Sequence, residues 1–220
     1  MSLPKSVSDS TSDTRQLRVA VVGAGAFGRN HLRVYRALET DGANVALVAV
    51  ADTNADAAHL LAAEYQIAGF SSVDALLTAV TAGQIAVDAA SVCVPTVHHA
   101  SVALKLISAG IDVLIEKPIA ASLSEAESLQ EAAESHGRIV QVGHLERFNP
   151  AVTAAMPLLN RPMFFESHRL SVFTPRSLDV DVELGHRQGD DLRTGDGHGD
   201  GCLSGRVSGS GEPMALTSLR

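Results

Sequence analysis

The chain has 220 residues, 45% of them hydrophobic but only 4% aromatic and none Trp, so it can bury a sizeable core and that core must be aliphatic, as buried parallel strands usually are. A formal net charge of −8 argues against a nucleic-acid partner, which needs a basic face, and no apolar run is long enough to span a bilayer. The two cysteines, Cys93 and Cys202, lack metal-ligand spacing and disulfide logic, which predicts no metal and a reducing cytoplasm.

Residues 1–16 are rich in Ser, Thr and Asp without an apolar stretch, and are expected to form a disordered tail rather than a signal peptide. Order begins with the apolar run from Leu17, which ends in Gly23-x-Gly25-x-x-Gly28 and gives way to a helical pattern. In that strand–turn–helix context the three glycines read as a dinucleotide site. Gly23 permits the tight turn, Gly25 lets the backbone approach a pyrophosphate, and Gly28 lets helix pack on strand. The anion then meets free N–H groups, those of Ala26 and Phe27 included, at the positive end of the helix. The plainer alternative is a purely structural turn.

Val45–Ala51 is a second strand, ending at Asp52. A carboxylate about 20 residues beyond the glycines accepts hydrogen bonds from the adenosine ribose, which favours NAD and makes NADP less suited. The competing reading of Asp52 is a helix cap. Ala55–Tyr65 is a helix entered through Asn54, Gln66–Phe70 a short third strand, and Ser72 caps a helix over Val73–Thr81. Val87–Val94 is a buried strand stopped by Pro95, placing Pro95 and Thr96 at the carboxyl end of the sheet, where α/β proteins bind ligands. His98 is expected to point to water. Ala100, Ala103, Leu104 and Ile107 mark one face of the next helix, ended by Gly110.

A fifth strand, Ile111–Ile115, leads into Glu116-Lys117-Pro118. Lys117 then points toward the cofactor crevice, where an ammonium can bind substrate oxygen or move a proton; the alternative is a surface Lys paired with Glu116. Ser122-x-x-Glu125 is a capping box for a helix closed by Gly137, and Arg138–Val142 is a sixth strand. Six strands in this rhythm predict an α/β, doubly wound parallel (Rossmann) sheet over residues 17–148. The segment Gly143–Pro150 is either a linker or the wall of a pocket in which Arg147 binds an anionic group.

Residues 149–183 read as the start of a second, incomplete α/β substrate domain: a helix over Ala151–Leu159 and an opening strand over Met163–Phe173, with no return strand. From Leu184 to Arg220 nine of the 18 glycines crowd together, and a disordered tail over 184–220 is expected, with no element longer than a few residues.

The ordered set Gly23-x-Gly25-x-x-Gly28-x-x-His31, Pro95-x-x-x-His99, Glu116-Lys117-Pro118 and Gly143–Pro150 resembles the Gfo/Idh/MocA oxidoreductases over about Leu17–Asp181. The resemblance implies NAD(P)-dependent hydride transfer at a sugar or cyclitol carbon, homo-oligomers among complete members, and Lys117 as the catalytic residue beside the reacting hydroxyl. It adds His99 and Glu116 to the cofactor site, and places His144 and Arg147 with Lys117 at the substrate. The Gly-His-x-x-Arg-Phe-Asn-Pro variant is most similar to members acting on nucleotide-linked amino sugars such as UDP-N-acetylglucosamine. Where the family continues with an acid and a His on a helix, Glu183-Leu184-Gly185-His186 echoes it at the wrong spacing. This departure suggests a reading frame truncated or shifted near Val182, and keeps a non-catalytic NAD-binding module as the alternative function. A small interaction protein using the Met163–Phe173 strand as an edge is the third reading.

Overall fold

In the computed structural model, residues 15–158 are described in full, together with the backbone of Phe165–Leu170 and Cys202–Val207. Residues 1–14 and the remainder beyond Leu158 lie outside the described residues, including the flanks of the expected Met163–Phe173 strand and most of the 184–220 segment.

Strands β1 (Leu17–Val22), β2 (Val45–Ala51), β3 (Ala68–Phe70), β4 (Ala89–Val92), β5 (Asp112–Ile115) and β6 (Val140–Val142) form one sheet in the order β3-β2-β1-β4-β5-β6. Every pairing in it is parallel. The crossovers run through α1 (Ala26–Thr40), α2 (Ala55–Tyr65), α3 (Val73–Thr81), α4 (His99–Ser108) and α5 (Leu123–His136).

The sheet buries apolar side chains on both faces, and the period of two in β1 divides them. Val19 and Val21 join Leu32 and Leu61 in one core, while Ala20 and Val22 join Leu76, Leu106, Ile115 and Leu129 in the other. In β2 the alternation changes parity midway. Val45 and Leu47 face the first core, and so does Val50, because the β1–β2 register skips Val48. A one-residue bulge reverses every later side chain, so Val48 and Ala49 both lie on the second core.

Local signals hold the helices. Asn54, Ser72 and Ser122 each accept the N–H three residues on, and Gly137 ends α5 in the left-handed region. Glu125 completes its box one residue early, accepting from the Ala121 N–H at 2.9 Å. At the amino ends of β1 and β4, Asp88 accepts Arg18 bidentately at 2.7 and 2.8 Å and the Arg18 backbone N–H at 2.9 Å. These hydrogen bonds hold its carboxyl down at about 2.

Several elements differ from the sequence expectation, each for a backbone reason. The third strand starts at Ala68, because Gln66 turns left-handed (φ 54°) to close α2. The fourth is four residues rather than Val87–Val94: Asp88 is drawn to Arg18, and the Val94 carbonyl is taken by His99. The fifth strand begins at Asp112 rather than Ile111, whose N–H returns to Leu106. The sixth begins at Val140, since the Arg138 N–H bonds Ala133 at the end of α5. The buried face of α4 is His99, Ala100, Ala103, Leu106 and Ile107, with Leu104 only partly buried. The helix expected over Ala151–Leu159 is α6 (Pro150–Ala155), tightening to a 3-10 turn at Met156–Leu158, where Pro157 cannot donate to the preceding turn. Arg15 and Gln16, expected in the tail, are tied to the sheet through Asp88 and the Val45 carbonyl.

The absence of a return strand is also corrected. β7 (Phe165–Leu170) pairs antiparallel with β8 (Cys202–Val207), so the glycine-rich segment does contain an element of six residues. Among the described residues no helix is long and apolar enough to cross a membrane.

Candidate functional site

The site sits at the carboxyl ends of β1, β4 and β5, where the strand order reverses direction between β1 and β4. Open α/β sheets take their ligands at such a switch point, because the two crossovers diverge there and leave a crevice.

The three glycines of the first turn divide their work. Gly23 has φ +107°, and a Cβ there would lie 2.6 Å from the Cys93 carbonyl group. A Cβ on Gly28 would lie 1.7 Å from the Gly23 oxygen, so only glycine lets α1 descend onto β1. Gly25 has ordinary backbone angles and nothing within 4 Å of where a Cβ would be. The fold does not require glycine there, and the start of α1 is left open to an approaching group. Gly25 is the N-cap of α1 and supplies no side-chain acceptor, so Ala26 and Phe27 present N–H groups without an intrahelical partner. These residues and the open face of Gly25 fit a pyrophosphate.

Asp52, past the end of β2, is tied into the same turn. Its Oδ2 accepts the Ala24 N–H at 2.5 Å and its Oδ1 the Asn54 N–H at 2.7 Å. The carboxylate is only partly buried, and each oxygen keeps a further lone pair for a ribose hydroxyl. The cap reading and the ribose reading are therefore compatible. Beneath Gly23, burial and the neighbouring Glu116 push the Cys93 thiol up to about 12, so it stays protonated.

Beyond β4, Pro95 is exposed and Thr96 is buried in a 3-10 turn over Thr96–His98; His98 is exposed as expected. His99 is 1% exposed, and its two ring nitrogens face the Pro118 carbonyl at 2.8 Å and the Val94 carbonyl at 2.9 Å. Both ring nitrogens are thus engaged by backbone. His99 thus straps the β4 exit to the Lys117–Pro118 turn, which contains a cis peptide. Glu116 is likewise buried, 7% exposed, with its carboxylate on His31 and on the Lys117 N–H.

Lys117 is exposed, and with His144 and Arg147 it lines a cleft of about 1230 Å³ between α5, β6 and the residues from Gly143 to Phe148. The structure thus brings the three substrate candidates to one cleft, which no residue of the glycine turn lines. Leu145 and Phe148 stand exposed at its rim.

Sequence reasoning missed Ser91 and Tyr35, and used His31 only as the end of a motif. His31 bonds Ser91 Oγ through Nδ1 at 3.0 Å, and the Tyr35 hydroxyl meets the same oxygen at 2.8 Å. A polar Ser91 inside an apolar buried strand, and His31 and Tyr35 four apart on α1, were the available signals.

A parallel sheet of this order, with a glycine turn open at a helix start and a carboxylate beside it, defines a dinucleotide-binding protein of the Rossmann class. Residues 17–144 match the oxidoreductase family with an NAD-binding Rossmann fold, Gfo/Idh/MocA, and the chain belongs to that family. It is 37% identical over 167 residues to UDP-N-acetylglucosamine 3-dehydrogenase from Acidithiobacillus ferrooxidans, covering 76% of this chain and 49% of the relative. The solved structure of that enzyme superposes with a TM-score of 0.64 at 35% identity, covering 76% and 52% of the two chains. Inositol 2-dehydrogenase from Corynebacterium glutamicum is 34% identical over 142 residues, 62% of this chain and 39% of the relative. The WlbA dehydrogenase from Bordetella pertussis, solved with NADH and UDP-GlcNAcA, superposes with a TM-score of 0.58 at 26% identity over 69% and 45%. The chain spans about half the length, or less, of these relatives.

Proposed function

We propose that this chain binds NAD(H) at the β1–α1 turn and carries the cofactor side of a dehydrogenase that oxidises a hydroxyl carbon of a sugar or nucleotide sugar. The observation that carries the reading is Gly25: it is free of steric demand from the fold, yet it opens the start of α1 beside Asp52. Asp52 receives the adenosine ribose and repels a 2′-phosphate. NAD, when bound, supplies the hydride acceptor. Lys117 holds the substrate hydroxyl and, as a free amine, takes its proton at Nζ, while Arg147 and His144 hold an anionic or polar part of the substrate from the same cleft. UDP-N-acetylglucosamine or a related nucleotide sugar is the substrate class that the 37% identical relative supports.

A second reading, a non-catalytic NAD-binding module, is supported by the exposure of Leu145 and Phe148 at the cleft rim, since hydride transfer needs water excluded. One assay separates the two. NAD reduction is followed with UDP-N-acetylglucosamine and with myo-inositol, alongside NADH affinity. The dehydrogenase reading predicts turnover that Lys117→Ala lowers by about 100-fold or more, with NADH affinity unchanged within about twofold. NADH binding without turnover on either substrate selects the binding module.

A further inference from the structure

A closed chain of hydrogen bonds joins the cofactor helix to the Lys117 turn. Tyr35 and His31 lie four residues apart on α1 and so share a face. Tyr35 Oη and Ser91 Oγ are 2.8 Å apart, Ser91 Oγ and His31 Nδ1 3.0 Å, and His31 Nε2 and Glu116 Oε1 2.9 Å. Glu116 Oε2 accepts the Lys117 N–H at 3.2 Å. The start of the Gly143–Phe148 segment closes on the same carboxylate: a Cβ on Gly143 would lie 3.4 Å from Oε1.

Donor counting assigns every proton. The Glu116 carboxylate only accepts, so His31 donates from Nε2. In the neutral ring Nδ1 then accepts, and the Ser91 hydroxyl supplies that hydrogen; a doubly protonated ring would leave the Ser91 hydrogen without a partner in the chain. Ser91 Oγ in turn accepts from Tyr35, whose phenol burial pushes above its ordinary value and so keeps as a donor. The reverse direction leaves the Tyr35 hydrogen without a partner in the chain. One tautomer satisfies all the groups, and Ser91, at 0% exposure, is out of reach of bulk solvent.

We propose that His31, as the Nε2–H tautomer, is a positioning residue that locks Glu116, and through it the backbone of Lys117, to the helix that receives the pyrophosphate. The glycine turn, the Lys117 turn and the start of the segment bearing His144 and Arg147 then keep one geometry. Displacing a reacting group by about 1 Å can lower a rate about 100-fold, so the lock bears on rate rather than on cofactor affinity. This consequence rests on the hydride-transfer reading; the tautomer and the Lys117 restraint do not.

The test uses the 220-residue chain and its His31→Ala, His31→Leu and His31→Gln variants. Long-range proton–nitrogen NMR of the histidine rings, assigned by the signal lost in His31→Gln, should show His31 protonated at Nε2. The Lys117 amide resonance should shift, and its hydrogen exchange accelerate at least tenfold, in His31→Ala and His31→Leu. His31→Gln should restore both, because its amide can donate to Glu116 whereas neither other variant can. NADH affinity should stay within about threefold throughout, while any turnover falls about 100-fold in the Ala and Leu variants and recovers in Gln. Protonation at Nδ1, or a Lys117 amide indifferent to all three variants, overturns the proposal. A chain without turnover refutes the dehydrogenase reading alone, and the amide and tautomer results still decide the lock.

Discussion

Alanine at Gly25 and alanine at Gly28 should have opposite consequences, although both glycines belong to one motif. The Gly28 Cβ would stand 1.7 Å from the Gly23 oxygen and 2.8 Å from its carbonyl carbon, where contacts below 3.0 Å force something to move. The obstructing atoms are backbone in the turn between β1 and α1, so relief means lifting the helix by more than an ångström from a core that includes Leu32. Overpacking of this kind costs typically 1–3 kcal/mol, and with backbone on one side about 3 kcal/mol is the expected size. At 2–4 °C per kcal/mol for a domain of this size, the midpoint should fall by about 10 °C. Gly25→Ala meets nothing within 4 Å and needs no unusual φ, so stability should stay level or rise by about 0.5 kcal/mol through loss of unfolded-state freedom. Its methyl group nevertheless occupies the approach to the Ala26 and Phe27 N–H groups, and NADH affinity should fall at least tenfold. Thermal unfolding followed by circular dichroism, paired with NADH titration, measures both quantities. Equal destabilisation by the two variants, or undiminished NADH binding by Gly25→Ala, would refute the assignment of Gly25 to the ligand.

Asp88→Asn should weaken the sheet in a pH-dependent way. The native carboxyl lies at about 2 against an ordinary 3.8, so its contribution is fully present above about pH 4 and is lost as pH falls toward 2. Allowing for solvent screening around half-exposed Arg18, that contribution is on the order of 1–2 kcal/mol, and urea midpoints from pH 6 down to 2 should show the wild type and variant converging. Asp52→Asn should reduce NADH affinity and also loosen the glycine turn, because the same carboxylate accepts from Ala24 and Asn54. Faster exchange of the Ala24 amide in the ligand-free variant is the expected sign, and an unchanged amide would remove Asp52 from the turn.

Much of this was legible in the residues, for a common reason: the legible features are settled within a few positions. Asn54, Ser72 and Gly137 cap their helices where the spacing predicts, since a cap needs only the adjacent turn. The glycine turn was readable because strand, turn and helix follow one another directly, and Lys117 stands just past β5 where the sequence places it. Strand ends were not, because they depend on partners far along the chain, such as His99 taking the Val94 carbonyl. The register skip at Val48 is invisible in a run of seven residues that are all apolar. β8 was hidden by Gly205 in the middle of a six-residue strand, where period-two alternation is too short to register. The inward turn of His99 and Glu116 was equally hidden, since a motif names residues and not the direction in which their side chains point.

On the proposed reading, the β1–α1 turn and Asp52 hold an unphosphorylated adenosine ribose. Calorimetric titration of the 220-residue chain with NADH and with NADPH, at one ionic strength, tests it most directly. NADH should bind at least tenfold tighter than NADPH, a difference of about 1.4 kcal/mol that narrows in Asp52→Asn. Equal affinity, preference for NADPH, or no binding of either cofactor would contradict it.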